Sequence, residues 1–178
     1  KELLNLFPEN TILSTFGLIN RDKGIEYVID ALPEVIKQYQ NIRYLIIGAT
    51  HPVVLRQEGE SYRNSLIKRI YALGLTAYVR FYDEYLKTEE LLKFLNATDI
   101  YLATQLDPNQ AVSGTLSYAL GAGRPVIATA FAQAKEDVTS GVGILVDFKN
   151  SKQITEALLQ LLGDQSKRLS LGKTAYFR

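Results

Sequence analysis

The chain has 178 residues and a formal net charge of +1, with 47% hydrophobic and 22% charged residues, which suits a single domain with a real core. Interspersed, near-neutral charge carries no footprint for nucleic acid or an anionic membrane surface, so no nucleic-acid partner is expected. The absence of cysteine removes disulfides, thiol nucleophiles and thiolate metal sites, and the single histidine, His51, rules out an imidazole-based metal cluster.

The chain opens on Lys1-Glu2-Leu3, without methionine, and stops at Phe177-Arg178 inside a helix-like pattern. It reads as an excised part of a longer protein. No apolar run approaches a membrane span and nothing at the start resembles a signal peptide, which makes the cytoplasm the default expectation. Thr11 to Phe16 is a strand closed by Gly17. Ile25, Val28, Ile29, Leu32 and Ile36 then share one helical face, and Pro33 is expected to kink or split that helix. Arg43 to Ile47 is a buried-type strand ending at Gly48. A polar loop follows from His51-Pro52 to Gly59, then a helix carrying Leu66, Ile67, Ile70 and Leu73, capped by Gly74.

Tyr78 to Tyr82 is the third strand, and Glu89 to Asn96 a brief helix with Leu91, Leu92 and Leu95. Asp99 to Thr104 is a strand, followed by a helix from Ser113 that ends in Gly121-Ala122-Gly123, and by the strand Pro125 to Thr129. One or two helical turns over Ala132 to Thr139 lead to Gly141 and the last strand, Gly143 to Val146. Ser151 is expected to cap a helix with Ile154, Ala157, Leu158, Leu161 and Leu162 inward, ended by Gly163. This alternation predicts one α/β domain over residues 1–178, a doubly wound parallel sheet of about six strands, with no repeat or second domain. Ligands of such sheets bind beyond the carboxyl ends of the strands. The segments to search are Gly17–Lys23, Gly48–His51, Tyr82–Tyr85 and Thr104–Thr115.

Ser113-Gly114-Thr115 opens a helix after a strand, where free N–H groups and the helix dipole favour an anion. Simple capping is the plainer alternative. The Walker-type and GxGxxG patterns are absent, which argues against a nucleoside triphosphatase or a dinucleotide enzyme. Arg21 and Lys23 follow the first strand; a lysine there could neutralise a diphosphate across the crevice, or both could be incidental turn charges. His51 sits in a loop on the predicted ligand side, although a lone loop histidine is commonly structural. Gln110 precedes the helix, where its amide could serve hydroxyls, or it is an ordinary exposed glutamine. Glu58, Glu60, Glu84, Asp99, Asp107 and Glu136 are scattered and form no catalytic pair.

Taken in order, Gly17…Lys23-Gly24-Ile25-Glu26, Asp99-Ile100-Tyr101, Gly123-Arg124-Pro125-Val126-Ile127-Ala128 and Gly141-Val142-Gly143-Ile144-Leu145-Val146 resemble the donor half of GT-B retaining glycosyltransferases of family 4. The likeness covers nearly the whole chain. It implies a Rossmann-like, carboxy-terminal domain that binds a nucleoside-diphosphate sugar as donor substrate, without cofactor or required metal. It implies Lys23 as the catalytic cation on the departing diphosphate, and the amides of Ser113 and Gly114 on the phosphates or the sugar. Gly17, Arg21, His51, Gln110, Thr115 and Tyr118 complete the expected binding set, with the loop Tyr82–Tyr85 near the base.

The acceptor, unknown, would be held by the chain's own N-terminal domain, with any peripheral membrane association also arising from parts outside these residues. The fragment alone is expected to be inactive. Two departures stand out. Leu18 occupies the position of a usual arginine, with Arg21 three residues out of register. The family's two glutamates, eight positions apart, fall on Gln110 and Tyr118, as in a variant subgroup of these transferases. A rival reading is a non-catalytic GT-B-like scaffold or regulatory binding module. A sugar-phosphate isomerase or epimerase lacks its expected histidines and carboxylates.

Overall fold

In the computed structural model, which describes residues 6–84 and 86–177, six parallel strands form one sheet in the order β3-β2-β1-β4-β5-β6. They are β1 (Thr11–Phe16), β2 (Ile42–Ile47), β3 (Val79–Tyr82), β4 (Ile100–Ala103), β5 (Val126–Thr129) and β6 (Gly143–Val146). Eight helices connect or follow them: α1 (Ile25–Ile36), α2 (Pro52–Glu58), α3 (Ser61–Ala72), α4 (Thr88–Ala97), α5 (Gly114–Gly121), α6 (Ala132–Asp137), α7 (Ser151–Gly163) and α8 (Gln165–Tyr176). The expected doubly wound parallel sheet is present.

The strands read as continuous apolar runs because both of their faces are covered. On β2, Tyr44 and Ile46 join the core under α1, α3 and α7, whereas Leu45 and Ile47 join the core under α4, α5 and α6. Ile100 and Leu102 of β4 face the first layer, Tyr101 and Ala103 the second. The chain winds outward from β1 through β2 to β3, then returns to place β4 on the other side of β1. That reversal leaves a crevice beyond the carboxyl ends of β1 and β4, the place where such sheets take ligands.

Several expectations need correction. Pro33 does not split its helix: α1 runs unbroken from Ile25 to Ile36. Ile29 and Leu32 before it and Val35 after it are fully buried, and burial of that stripe outweighs the roughly 3 kcal/mol an interior proline costs. The segment from Pro52 to Glu58 is helix α2, not loop. Proline occupies its first turn, and His51 caps it by accepting the Val53 N–H at Nδ1 (3.2 Å). With no buried residue, α2 has no apolar stripe to betray it. Asn150, not Ser151, caps α7, accepting from the Gln153 N–H at 3.1 Å. Gly163 is the last residue of α7, and Asp164 then caps α8. Lys1-Glu2-Leu3, Tyr85 and Arg178 lie outside the described residues. No helix among the described residues is long and apolar enough to cross a membrane.

Candidate functional site

Two glycines let the floor of the crevice close. Gly17 and Gly48 end β1 and β2 with φ of +114° and +141°, and a Cβ on Gly48 would lie 2.2 Å from the Gly17 carbonyl oxygen. Only bare backbone fits there. The turn Arg21–Lys23 follows, closed by Gly24 at φ +59°, where a Cβ would meet the Thr104 carbonyl oxygen at 2.3 Å. The Thr104 hydroxyl donates to the Lys23 carbonyl at 2.8 Å, and the Leu106 N–H donates to the Asp22 carbonyl at 2.8 Å. The lysine loop after β1 is thereby fastened to the loop after β4.

Two adjoining cavities open above this floor and share Gly17, Leu18 and Thr115. One, of about 320 Å³, is lined by Asn20, Asp22, Lys23, His51, Gln105, Asp107 and Gln110 besides those three. The other, of about 260 Å³, is more apolar, with Phe16, Ile47, Leu86 and Leu91 as walls and Gly114, Tyr118 and Glu84 also lining it. Lys23 reaches back so that a Cβ on Gly17 would sit 3.1 Å from its Nζ. No acidic group pairs with it among the described residues. Burial alone pulls its pKa down to about 8. A half-buried ammonium with no acidic partner among the described residues is a group whose burial an anion would offset.

The start of α5 supplies the second element. Ser113 is buried and caps the helix, its Oγ accepting from the Leu116 N–H (3.3 Å) and from Gln105 Nε2 (3.0 Å). Its own N–H is taken by Gln133 Oε1 from α6, which corrects the expectation that this amide is free for a ligand. The N–H groups of Gly114 and Thr115, in the first turn of α5, have no intrahelical acceptor and no other acceptor among the described residues. Both residues line the crevice. Beneath them lies Tyr101, fully buried, its phenol pushed up to about 12 by burial despite a hydrogen bond with Thr115.

Of the expected residues, Gly17, Lys23, His51, Gln110 and Thr115 meet at the larger cavity, and Gly114 and Tyr118 at the apolar one. Gln110 turns its Nε2 back to the Val112 carbonyl at 3.1 Å. Tyr118 is 46% exposed at the rim. Arg21 is a correction, because it lines neither cavity. It points outward to Glu58 (2.9 Å) and over the Tyr62 ring, the ion pair raising its pKa and lowering that of Glu58. Leu18 lines both cavities without charge.

Sequence reasoning did not single out Asn20, Gln105, Gln133 or Arg63. Arg63, 5% exposed, braces the floor from below through the Gly48 carbonyl (2.9 Å), Thr50 (3.2 Å) and Asp83 (2.7 Å). An arginine in a mostly polar helix gives no signal of that role. Among the described residues no three His, Asp or Glu side chains gather as a metal site.

With this geometry in place, the chain can be set beside known proteins. The family described as Glycosyl transferases group 1 matches residues 2–178. Spore coat protein SA of Bacillus subtilis is 24% identical over 161 residues, 88% of this chain and 41% of that protein. The chain thus spans about two fifths of that relative's length. The C-terminal domain of a glycosyl transferase group 1 family protein from Francisella tularensis superposes with a TM-score of 0.84 at 24% identity, covering 99% of this chain and 87% of that one. The Anabaena protein HepE, solved in complex with UDP-glucose, gives 0.85 at 22% identity over 99% of this chain and 45% of that one. At such identities the structural likeness speaks for the fold.

Proposed function

From the premise that the chain belongs to the Glycosyl transferases group 1 family, matched over residues 2–178, we propose that its crevice binds the nucleoside-diphosphate sugar of a family-4-type, retaining transferase. Lys23 carries this reading, as an ammonium at the switch point of the sheet with no acidic partner among the described residues, facing a helix start whose two N–H groups find no acceptor among them. When the bond from the sugar to the diphosphate breaks, negative charge grows on the departing phosphate. Lys23 and the amides of Gly114 and Thr115 are preorganised to stabilise it, with no metal needed for that charge.

The apolar cavity with Leu86, Leu91 and Glu84 takes the base, near the loop after β3; Tyr85 of that loop lies outside the described residues. Tyr118 stands at the ribose and Gln110 at the sugar, a variant of the two usual glutamates. The acceptor and the groups that orient it belong to an N-terminal domain beyond these residues, so this domain alone binds donor and transfers little. Such a donor half is expected to work in the cytoplasm, where nucleotide sugars are made.

Calorimetric titration with UDP, GDP and ADP tests the proposal. At least one is expected to bind, and Lys23→Ala to weaken it about a hundredfold, the scale of a lost charge-assisted contact. Binding of none of the three, or full affinity in the alanine variant, overturns it. One observation favours a non-catalytic binding module instead: the Gln110 amide is engaged with its own loop. Sugar transfer by the complete protein decides against that alternative.

A further inference from the structure

Two side-chain oxygens are buried without a hydrogen-bond partner among the described residues, Oε1 of Gln105 and Oδ1 of Asn20. Both residues line the larger cavity, beside Lys23. Gln105 is 3% exposed: its side-chain Nε2 donates to Ser113 Oγ at 3.0 Å, and its main-chain carbonyl accepts from the Thr129 hydroxyl at 2.5 Å. The backbone is anchored and the head group oriented by its Nε2 bond, with Oε1 left unused. Asn20 is placed by backbone contacts, its carbonyl accepting from the Lys23 N–H at 3.2 Å and its neighbour Ile19 bridging to Thr50. A buried amide oxygen left without a donor is costly, and few native groups stay so.

The remaining polar lining of this cavity is also rich in acceptors. Asp22 and Asp107 add carboxylates, and Lys23 is the only Lys or Arg in the lining. Arg21, which could have received an acidic substituent, faces Glu58 instead. A ligand that brings hydroxyl donors satisfies such a wall; one that brings a carboxylate meets repulsion and leaves the amide oxygens unpaired.

We infer that the cavity beside Lys23 reads a neutral, hydroxyl-bearing sugar and disfavours a uronic acid, with Gln105 and Asn20 as specificity-determining residues. The inference rests on the donor-site reading above. It assigns the sugar's class to acceptors that come from the loops after β4 and β1, on opposite sides of the switch point.

The experiment compares affinities within matched sets by calorimetry on the 178-residue chain: UDP, UDP-glucose and UDP-glucuronate, then GDP, GDP-mannose and GDP-mannuronate. With the nucleotide that binds, the neutral sugar is expected to be favoured over its uronate by tenfold or more. Gln105→Leu and, separately, Asn20→Ala are expected to weaken the sugar nucleotide about tenfold more than the bare diphosphate. That ratio isolates the sugar from any general loosening of α5, which would weaken both ligands alike. If a diphosphate binds but the uronate is held as well as the neutral sugar, or both variants lower the two ligands equally, this inference falls and the donor-site reading stands. If neither UDP nor GDP binds, the donor-site reading fails for both nucleotides and takes the inference with it.

Discussion

Two grooves sit at opposite ends of the same sheet, and they treat their polar groups differently. The groove at the amino ends of β4 and β5 is the larger, about 530 Å³, and is lined by Arg124, Arg168, Lys173 and Tyr176 among others. Its arginines are occupied: Arg124 donates to the carbonyls of Ala122 (2.8 Å) and Thr98 (2.9 Å), and Arg168 to those of Leu161 and Leu162. They finish the hydrogen bonding of helix and strand ends. Neither cavity of the crevice at the carboxyl ends matches that volume by itself, yet among the described residues the crevice holds a lysine without a counter-ion, two unused helix amides and two orphaned amide oxygens. Unmet polar valence, rather than volume, marks the carboxyl-end crevice as the candidate binding site.

The largest expected break in this contrast is at the crevice floor. Gly48→Ala places a methyl 2.2 Å from the Gly17 carbonyl at a φ of +141°, and chemical denaturation is expected to show a loss of about 3 kcal/mol. Full stability would mean that the two loops are not locked together. At the opposite end, Arg124→Met strips the partners from two backbone carbonyls and is expected to cost about 2 kcal/mol. Nucleotide affinity in that variant is expected to stay that of the parent. A fall in affinity at constant stability would give the amino-end groove a part in binding.

A pH series sharpens the contrast further. Lys23 titrates at about 8 instead of its ordinary 10.5, so its charged fraction, and with it diphosphate affinity, is expected to fall about tenfold from pH 7 to pH 9. The Lys23→Ala variant is expected to show no such step. Without ligand the sign reverses: the penalty of burying the ammonium is fully present below pH 8 and is relieved as pH rises toward 10.5, so the free protein gains stability across that window. The smallest effect belongs to Arg21→Ala. The exposed pair with Glu58 is lost, and donor affinity is expected to stay within about twofold. A larger drop would return Arg21 to the site.

Most of the sheet was legible because each strand is a short apolar run between glycines and polar loops, and parallel strands buried on both faces cannot be written otherwise. Helices α1 and α7 announced themselves by their stripes. α2 and most of α8 did not, since the first buries nothing and the second only Leu171, Gly172 and Ala175. Gly17 and Lys23 could be placed from their position just after β1. Arg21 could not be separated from Lys23, because two residues in one tight turn point to opposite sides. The occupied Ser113 amide depends on Gln133, twenty residues further on. Asn20 and Gln105 matter through what they fail to bond, and an unmade contact leaves no pattern in a sequence.

The tie from the Thr104 hydroxyl to the Lys23 carbonyl has a kinetic meaning. It acts as a strut between the two winding halves of the sheet, holding the slot at one width before anything enters. A ligand that bridges the halves then needs no internal hinge to close around its phosphates, and none of its binding free energy goes into drawing the walls together. For a ligand of the proposed site, capture is therefore expected to be governed by diffusion and charge rather than by a closing motion, with rates that fall as salt screens the lysine.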